Sequence, residues 1–318
     1  DRNINTYNFI TKQINKSIPT ISFIGSGNYT SKILIPEFKK KNVYLDAIVS
    51  ENGISSSHNG KKYNFKKIST DSDGVIQSKS SNTIVISTRH DTHAEYILKA
   101  INHNKNIFVE KPLCLNLKDL NKIKKSYLSK KYQGIMMIGF NRRFSPLIKK
   151  ARTLLEAIKT PSSFIYTINA GNIPSDHWTQ DPKVGGGRII GEVCHFIDLL
   201  RNLNGSKIIE TNKVTLDDNT RDTISIHLKF ENGSIGVINY FANGNSKYQK
   251  ERIDIYNSGK IIIINNFKKI STYGWPSFKN KFYFFQNKGQ SECISSFINS
   301  IKDGSETPIP FNEIVEIA

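Results

Sequence analysis

Lys111 stands between an acid and a proline in the run Val109-Glu110-Lys111-Pro112, directly after the apolar stretch NIFV. A lysine ammonium held at the end of a strand can stabilise an oxygen that is gaining negative charge. Proline has no amide hydrogen and weakens the trans preference of the bond before it. Lys111-Pro112 is therefore a candidate for the cis form, with the lysine side chain aimed off the strand axis. The plainer reading is a strand-to-helix turn with a solvated lysine. The second candidate for proton chemistry is His195, three residues after Glu192 and three before Asp198 in RIIGEVCHFIDLLRNL. That spacing puts all three on one side of a helix. A histidine beside an acid, led in by Gly185-Gly186-Gly187, can serve as a general base while the glycines admit a ligand. A core histidine with a paired acid is the alternative.

Such residues act only where elements bring them to a common edge, and the first half of the chain alternates strand and helix patterns. TISFIGSGNYTSKILIPEFKK reads as a buried strand, a tight glycine turn and a helix with Ile33, Leu34 and Phe38 on one face. Gly25 and Gly27 match the first two glycines of the dinucleotide fingerprint, where the first allows the turn and the second lets a pyrophosphate approach the backbone. Thr30 occupies the third position. VYLDAIVS follows as a strand ending at Ser50, where an acid would bond the adenosine ribose of NAD. Ser50 and Asn52 are the polar contacts available, with Glu51 one step late, so NAD and NADP both remain open. ENGISSSHNGKKYN reads as a turn-rich loop with an exposed His58. TIVIST, NIFVE and GIMMIGF are further strands, separated by the helices HAEYILKAINHN and NLKDLNKIKKSYLSK, and SPLIKKARTLLEAI is a helix. This alternation predicts a doubly wound parallel sheet. Its strand ends carry STRHDTHAE, VEKPL and GFNRRFSP, three polar clusters expected to line one crevice. His90 and Thr88 are expected near a cofactor, and His93 reads equally as a cap or surface contact.

Past Thr160 the pattern changes. SSFIYTINAG is a strand, NIPSDHWTQDPKVGGG a long loop with Asp176, His177 and Trp178, and RIIGEVCHFIDLLRNL a helix. From Lys207 onward the chain alternates as hairpin-forming strands. His227 within them reads as structural, and two helices close the sequence, the last one short. The predicted fold is thus α/β: an N-terminal Rossmann domain with a doubly wound parallel sheet, then a C-terminal α+β domain with a mostly antiparallel open sheet. The boundaries fall at a polar extension over residues 1–19, a dinucleotide-binding domain over 20–143 and a second domain over 144–318.

Composition narrows the function classes. The net charge is +18, which attracts nucleic acid, anionic membranes or phosphorylated ligands, but the lysines are spread along the chain rather than clustered, so no nucleic-acid partner is expected. No apolar run reaches a membrane span, no membrane partner is expected, and the N-terminal residues do not resemble a signal peptide. Cys114, Cys194 and Cys293 lack metal-ligand or disulfide spacing, so no metal is expected and a reducing, cytoplasmic setting fits.

FIGSGNYTSKILIP, STRHDTHAEY, FVEKPLCLN, GFNRRFSP and NIPSDHWTQDPKVGGGRIIGEVCHFIDLLRNL together resemble the glucose-fructose oxidoreductase and inositol dehydrogenase (Gfo/Idh/MocA) family. The last piece is similar to the C-terminal half of two-part oxidoreductases, led by an alcohol dehydrogenase half, that accompany surface-polysaccharide synthesis. The resemblance implies an NAD(P)-dependent oxidoreductase acting on a secondary alcohol or ketone of a sugar, nucleotide sugar or cyclitol. It also implies a homo-oligomer, dimer or tetramer, built through the C-terminal sheet. Lys111 matches the family lysine and His195 the family histidine. The family aspartate four residues before that histidine is replaced by Gly191, which leaves Glu192 as the candidate third catalytic group. The cofactor contacts expected on this basis are Gly25, Gly27, Asn28, Tyr29, Ser50, Thr88, His90, His93, Glu110 and Lys111. The expected substrate contacts are Arg142, Arg143, Asp176, His177 and Trp178. The competing expectation is a non-catalytic, cofactor-binding sensor or corepressor on the same fold.

Overall fold

The computed structural model describes residues 6–8, 18–129, 131–218 and 220–318. Most of the polar extension expected over 1–19, including the stretch compared with a signal peptide, lies outside the described residues. The chain divides into two compact units, Asp1–Gly139 with Gln290–Ala318, and Phe140–Gly289. The two closing helices therefore stand in the first unit, whereas the sequence-based division grouped them with the second half.

The first unit is a seven-stranded sheet. Its strands are β1 (Thr6–Asn8), β2 (Thr20–Ile24), β3 (Tyr44–Val49), β4 (Lys67–Ser69), β5 (Thr83–Ile86), β6 (Asn106–Val109) and β7 (Met136–Ile138). The order is β1-β4-β3-β2-β5-β6-β7, with β2 to β7 parallel and β1 antiparallel at the edge. The six parallel strands follow the 3-2-1-4-5-6 order of a doubly wound dinucleotide fold, whose switch point falls between β2 and β5. β2 and β5 are buried along their whole length, as a sheet covered on both faces requires. Covering them are α1 (Ile35–Lys39), α2 (Ile54–Tyr63), α3 (Ser72–Gln77), α4 (His93–Asn102) and α5 (Leu117–Tyr127). α2 corrects the sequence reading of a loop, and His58 on it is exposed as expected. Gly60 makes that helix fit, since a Cβ there would meet Ile68 Cγ1 at 2.4 Å. Phe23 packs edge-to-face on Phe38 and Phe65, Phe38 on Phe108, and Phe108 on Phe297. That aromatic chain explains why a helix so late in sequence belongs to this core.

The second unit begins with a 3₁₀ turn at Asn141–Phe144 and α6 (Pro146–Glu156), followed by β8 (Ser163–Asn169). A π-helical turn at Ile189–Val193 then runs into α7 (Cys194–Asn204). The remaining strands are β9 (Ile208–Thr215), β10 (Ile224–Phe230), β11 (Ile235–Phe241), β12 (Glu251–Asn257), β13 (Lys260–Asn265), β14 (Lys269–Tyr273) and β15 (Lys281–Phe282). They form an eight-stranded sheet in the order β15-β14-β13-β12-β8-β11-β10-β9. All pairs are antiparallel except β8 with β11. Phe164, Tyr166 and Ile168 point into the core beside Phe196 and Leu200 of α7, while the alternating Ile165 is 38% exposed. Ile235, Phe241 and Tyr256 are exposed with it, so one face of the sheet is core and the other retains apolar surface. The closing helices of the first unit are α8 (Gln290–Asp303) and α9 (Phe311–Ile317). Among the described residues no helix is long and apolar enough to cross a membrane.

Candidate active site

At the carboxyl end of β2 the chain turns at Gly25, whose φ is +106°. A Cβ on it would lie 2.6 Å from the Ser87 carbonyl carbon, so glycine is required both by the backbone conformation and by the close approach of the β5 end. Gly27 differs: nothing lies within 4 Å of where its Cβ would be. That open backbone approach, with exposed Asn28 and Tyr29 beside it, suits the pyrophosphate of a dinucleotide. Thr30, standing where a third glycine was sought, is buried and donates through Oγ1 to Ser87 Oγ at 2.8 Å. A hydroxyl thus joins helix to sheet where a glycine would only permit close packing. Sequence reasoning missed Asn59, whose Nδ2 donates to Ser26 Oγ at 2.8 Å and braces the glycine turn from α2. Reading α2 as loop concealed it. Gly25→Ala is expected to destabilise the fold by about 1–3 kcal/mol. Gly27→Ala should leave the melting temperature unchanged yet weaken NAD binding about tenfold or more, a loss of roughly 1.4 kcal/mol; calorimetric titration and thermal melts separate the two.

The other strand ends supply the remaining candidates. Ser50 Oγ hydrogen-bonds Ser56 Oγ at 2.9 Å and accepts from the Ser56 backbone N–H at 3.1 Å, which ties it to the start of α2. Glu51 beside it is exposed. Thr92 Oγ1 donates to Thr88 Oγ1 at 2.7 Å, and His90 is buried with its ring 5.7 Å from that of His93. His93 is fully buried, its Nδ1 2.7 Å from the Pro112 carbonyl and its Nε2 3.3 Å from the Thr88 carbonyl. The structure places the His93 ring, expected as a cofactor contact, between two strand ends, one of them next to Lys111. Burial holds its pKa below the ordinary histidine range, although both carbonyls favour the charged form. The Lys111-Pro112 bond is cis and Lys111 is half-buried.

Glu110 lies against Gly139, where a Cβ would come within 2.6 Å of Glu110 Oε1. Burial pushes its carboxyl up to about 7, against the pull of Lys111. The folded value lies above the ordinary 4.5. The folded state then binds this proton more tightly than the unfolded chain, and stability falls as pH rises through that interval. Glu110→Gln is expected to stabilise the protein at pH 8 by on the order of 2 kcal/mol and to give no gain near pH 4. Urea denaturation of both proteins at the two pH values tests this.

In the second unit His195 is buried at 5% exposure, its ring edge-on to Phe140 with centroids 5.8 Å apart. Glu192 lies in the π-helical turn, whose i→i+5 bonding changes the register that an α-helix would give it relative to His195. Its carboxylate accepts from Tyr240 Oη at 2.6 Å and Lys250 Nζ at 3.1 Å, with Arg188 Nη2 at 3.5 Å. Arg188 also donates to the Gly171 carbonyl at 2.6 Å. Asp198 is buried and takes two bonds from Arg143, at 3.1 and 2.5 Å. Arg142 donates to both oxygens of Glu251, at 2.8 and 3.0 Å. Lys288 Nζ reaches the same acid at 2.6 Å, and Tyr166 Oη also donates to it. These cations hold Glu251 well below the usual carboxylate range despite its burial.

The structure places Arg142 and Arg143, expected as substrate contacts, in buried ion pairs with Glu251 and Asp198. Asp176 and His177 are exposed and Trp178 half-buried, with His177 Nδ1 2.8 Å from Thr179 Oγ1. Arg188, Tyr240, Lys250, Glu251 and Lys288 escaped sequence reasoning. Nothing in local spacing ties Tyr240 and Lys250 to Glu192, 48 and 58 positions earlier, or Glu251 to Arg142, 109 positions earlier.

Residues 20–140 match the oxidoreductase family with an NAD-binding Rossmann fold, Gfo/Idh/MocA, and residues 153–262 match the Gfo/Idh/MocA C-terminal domain. Myo-inositol 2-dehydrogenase of Thermotoga maritima is 24% identical over 258 residues, covering 76% of each chain. The Bacillus subtilis oxidoreductase YrbE is 25% identical over 321 residues, covering 96% of this chain and 91% of its own. Among solved structures, levoglucosan dehydrogenase in complex with NADH and levoglucosan has a TM-score of 0.82 at 16% identity, covering 94% of both chains.

Proposed function

The chain belongs to the Gfo/Idh/MocA oxidoreductase family, and from that premise we propose that it oxidises a secondary alcohol of a sugar, nucleotide sugar or cyclitol reversibly. The observation that carries this reading is the open backbone approach at Gly27, on the same sheet edge that presents Lys111. Relatives named for myo-inositol and levoglucosan support a polyhydroxylated ring as substrate. NAD, when bound, supplies the hydride acceptor. His195 takes the hydroxyl proton, as an imidazole with an ordinary pKa of roughly 6.5 can near neutral pH. Lys111 stabilises negative charge as it develops on an alcohol oxygen. The exposed Glu51 carboxylate after β3 repels a ribose phosphate, which favours NAD over NADP. The apolar open face of the second sheet supports a homo-oligomer. The three cysteines are buried and outside any disulfide, in keeping with a cytoplasmic protein. A panel of cyclitols, aldoses and nucleotide sugars tested for NAD reduction checks the reading. Turnover of at least one is expected, and tight NAD binding with no turnover on any would support a sensor instead.

A further inference from the structure

The second unit carries a connected set of charges around Phe196. Arg142 lies 4.9 Å over the Phe196 ring, and Tyr166 and Tyr240 pack on that ring at 5.2 and 5.9 Å. Arg142 and Lys288 share Glu251, and Lys250 and Arg188 share Glu192. Four cations thus face two carboxylates. Asp222, held by Gln180 beyond Tyr240, adds one more acid, and the cations still outnumber the acids. The order of exposure matters as much as the count. The Glu251 side chain is 1% exposed and Arg142 7%, whereas Lys288 is 16% and Lys250 40%. Glu192, at 22%, is likewise less exposed than the Lys250 that bonds it, so at each carboxylate the ammonium is the outer partner and a ligand meets positive charge first. Each ammonium has three donors, and its bond to protein carboxylate uses one. Burial, then the Arg142 and Lys250 cations, hold the Lys288 ammonium below the ordinary lysine range despite Glu251. An added anion relieves that repulsion.

We propose that Lys250 and Lys288 form an anion subsite, and that the substrate therefore carries a carboxylate or phosphate group held there. This rests on the reading of the chain as a sugar or cyclitol oxidoreductase, because Glu192, which Lys250 bonds, lies one turn before His195. Lysine suits either anion as a point charge, without demanding the planar fork of arginine.

The test uses the full chain loaded with NAD. Inorganic phosphate and acetate are titrated calorimetrically at constant ionic strength into wild type, Lys250→Met and Lys250→Arg. Saturable binding that weakens at least tenfold in Lys250→Met and returns in Lys250→Arg is expected, with unchanged melting temperature and NAD affinity. Non-saturable uptake by wild type, or equal binding by Lys250→Met, overturns the subsite. Rates of NAD reduction with hexoses, hexuronates and hexose 6-phosphates of gluco, galacto and manno configuration form the second arm. A tenfold or greater preference for a uronate or a phosphate over its neutral counterpart, lost in Lys250→Met, supports the substrate class and tells carboxylate from phosphate. Faster turnover of the neutral sugars overturns it while leaving the oxidoreductase reading intact. Saturable phosphate binding with no turnover on any sugar supports the subsite and counts against that reading alone.

Discussion

Replacing His195 or Lys111 by alanine is expected to lower kcat/KM for the alcohol by about 10²–10⁴-fold, the range that a positioned proton-transfer group supplies. NAD affinity should stay within about twofold, because the glycine turn that approaches the pyrophosphate is untouched by either change. The two variants should differ in pH behaviour. Loss of the imidazole removes the proton acceptor, so residual activity in His195→Ala should rise with pH as hydroxide replaces the base. Loss of the ammonium removes a fixed positive charge at the reacting oxygen, so Lys111→Ala should remain slow across the range. Full pH profiles of kcat/KM for both proteins distinguish these roles from a general loss of structure.

The second large effect concerns stability. Glu251→Ala removes the acceptor shared by Arg142, Lys288 and Tyr166, two of them buried and the third nearly so. Breaking a buried ion pair from one side strands its partner's charge in a poorly solvated interior, which costs about 3–5 kcal/mol. Glu251→Gln keeps the volume and loses the charge, and should cost nearly as much, since no neutral amide balances two cations. Urea denaturation of the three proteins measures this, and a change below about 1 kcal/mol would contradict the account of the cluster.

Those two predictions draw on parts of the molecule that differ in how far the sequence discloses them. The Rossmann half was legible because parallel strands buried on both faces appear as unbroken apolar runs, TISFI and TIVI, with glycine at the first turn. The placement of His195 at a helix start and of Lys111 after a strand end was legible for a related reason, since both are local features. α2 was not, because serines, asparagine and glycine obscure its helical period. Its placement depends on the Ser50 hydroxyl at its start and on Gly60 admitting Ile68. The arginines of GFNRRFSP read in sequence as substrate contacts, and only folding brings them Asp198 and Glu251 from positions 55 and 109 residues later. The π-helical turn at Ile189–Val193 was hidden for another reason, since its residues satisfy an α-helical pattern equally well. Pairing across long sequence distances and irregular helical turns are thus where sequence reasoning stopped, and the charged cluster around Glu192 and Glu251 is built from both.

The most direct test of the central claim is a single comparison on protein purified with NAD. NADH formation is followed with the best alcohol from the substrate panel, for wild type, His195→Ala, Lys111→Ala and the double variant, with NAD affinity measured in parallel. The account predicts retained NAD binding in all four, with NADH formation slowed by about 10²–10⁴-fold in each single variant and at least as much in the double variant. A double variant that binds NAD and still oxidises the alcohol at a rate near wild type would contradict it.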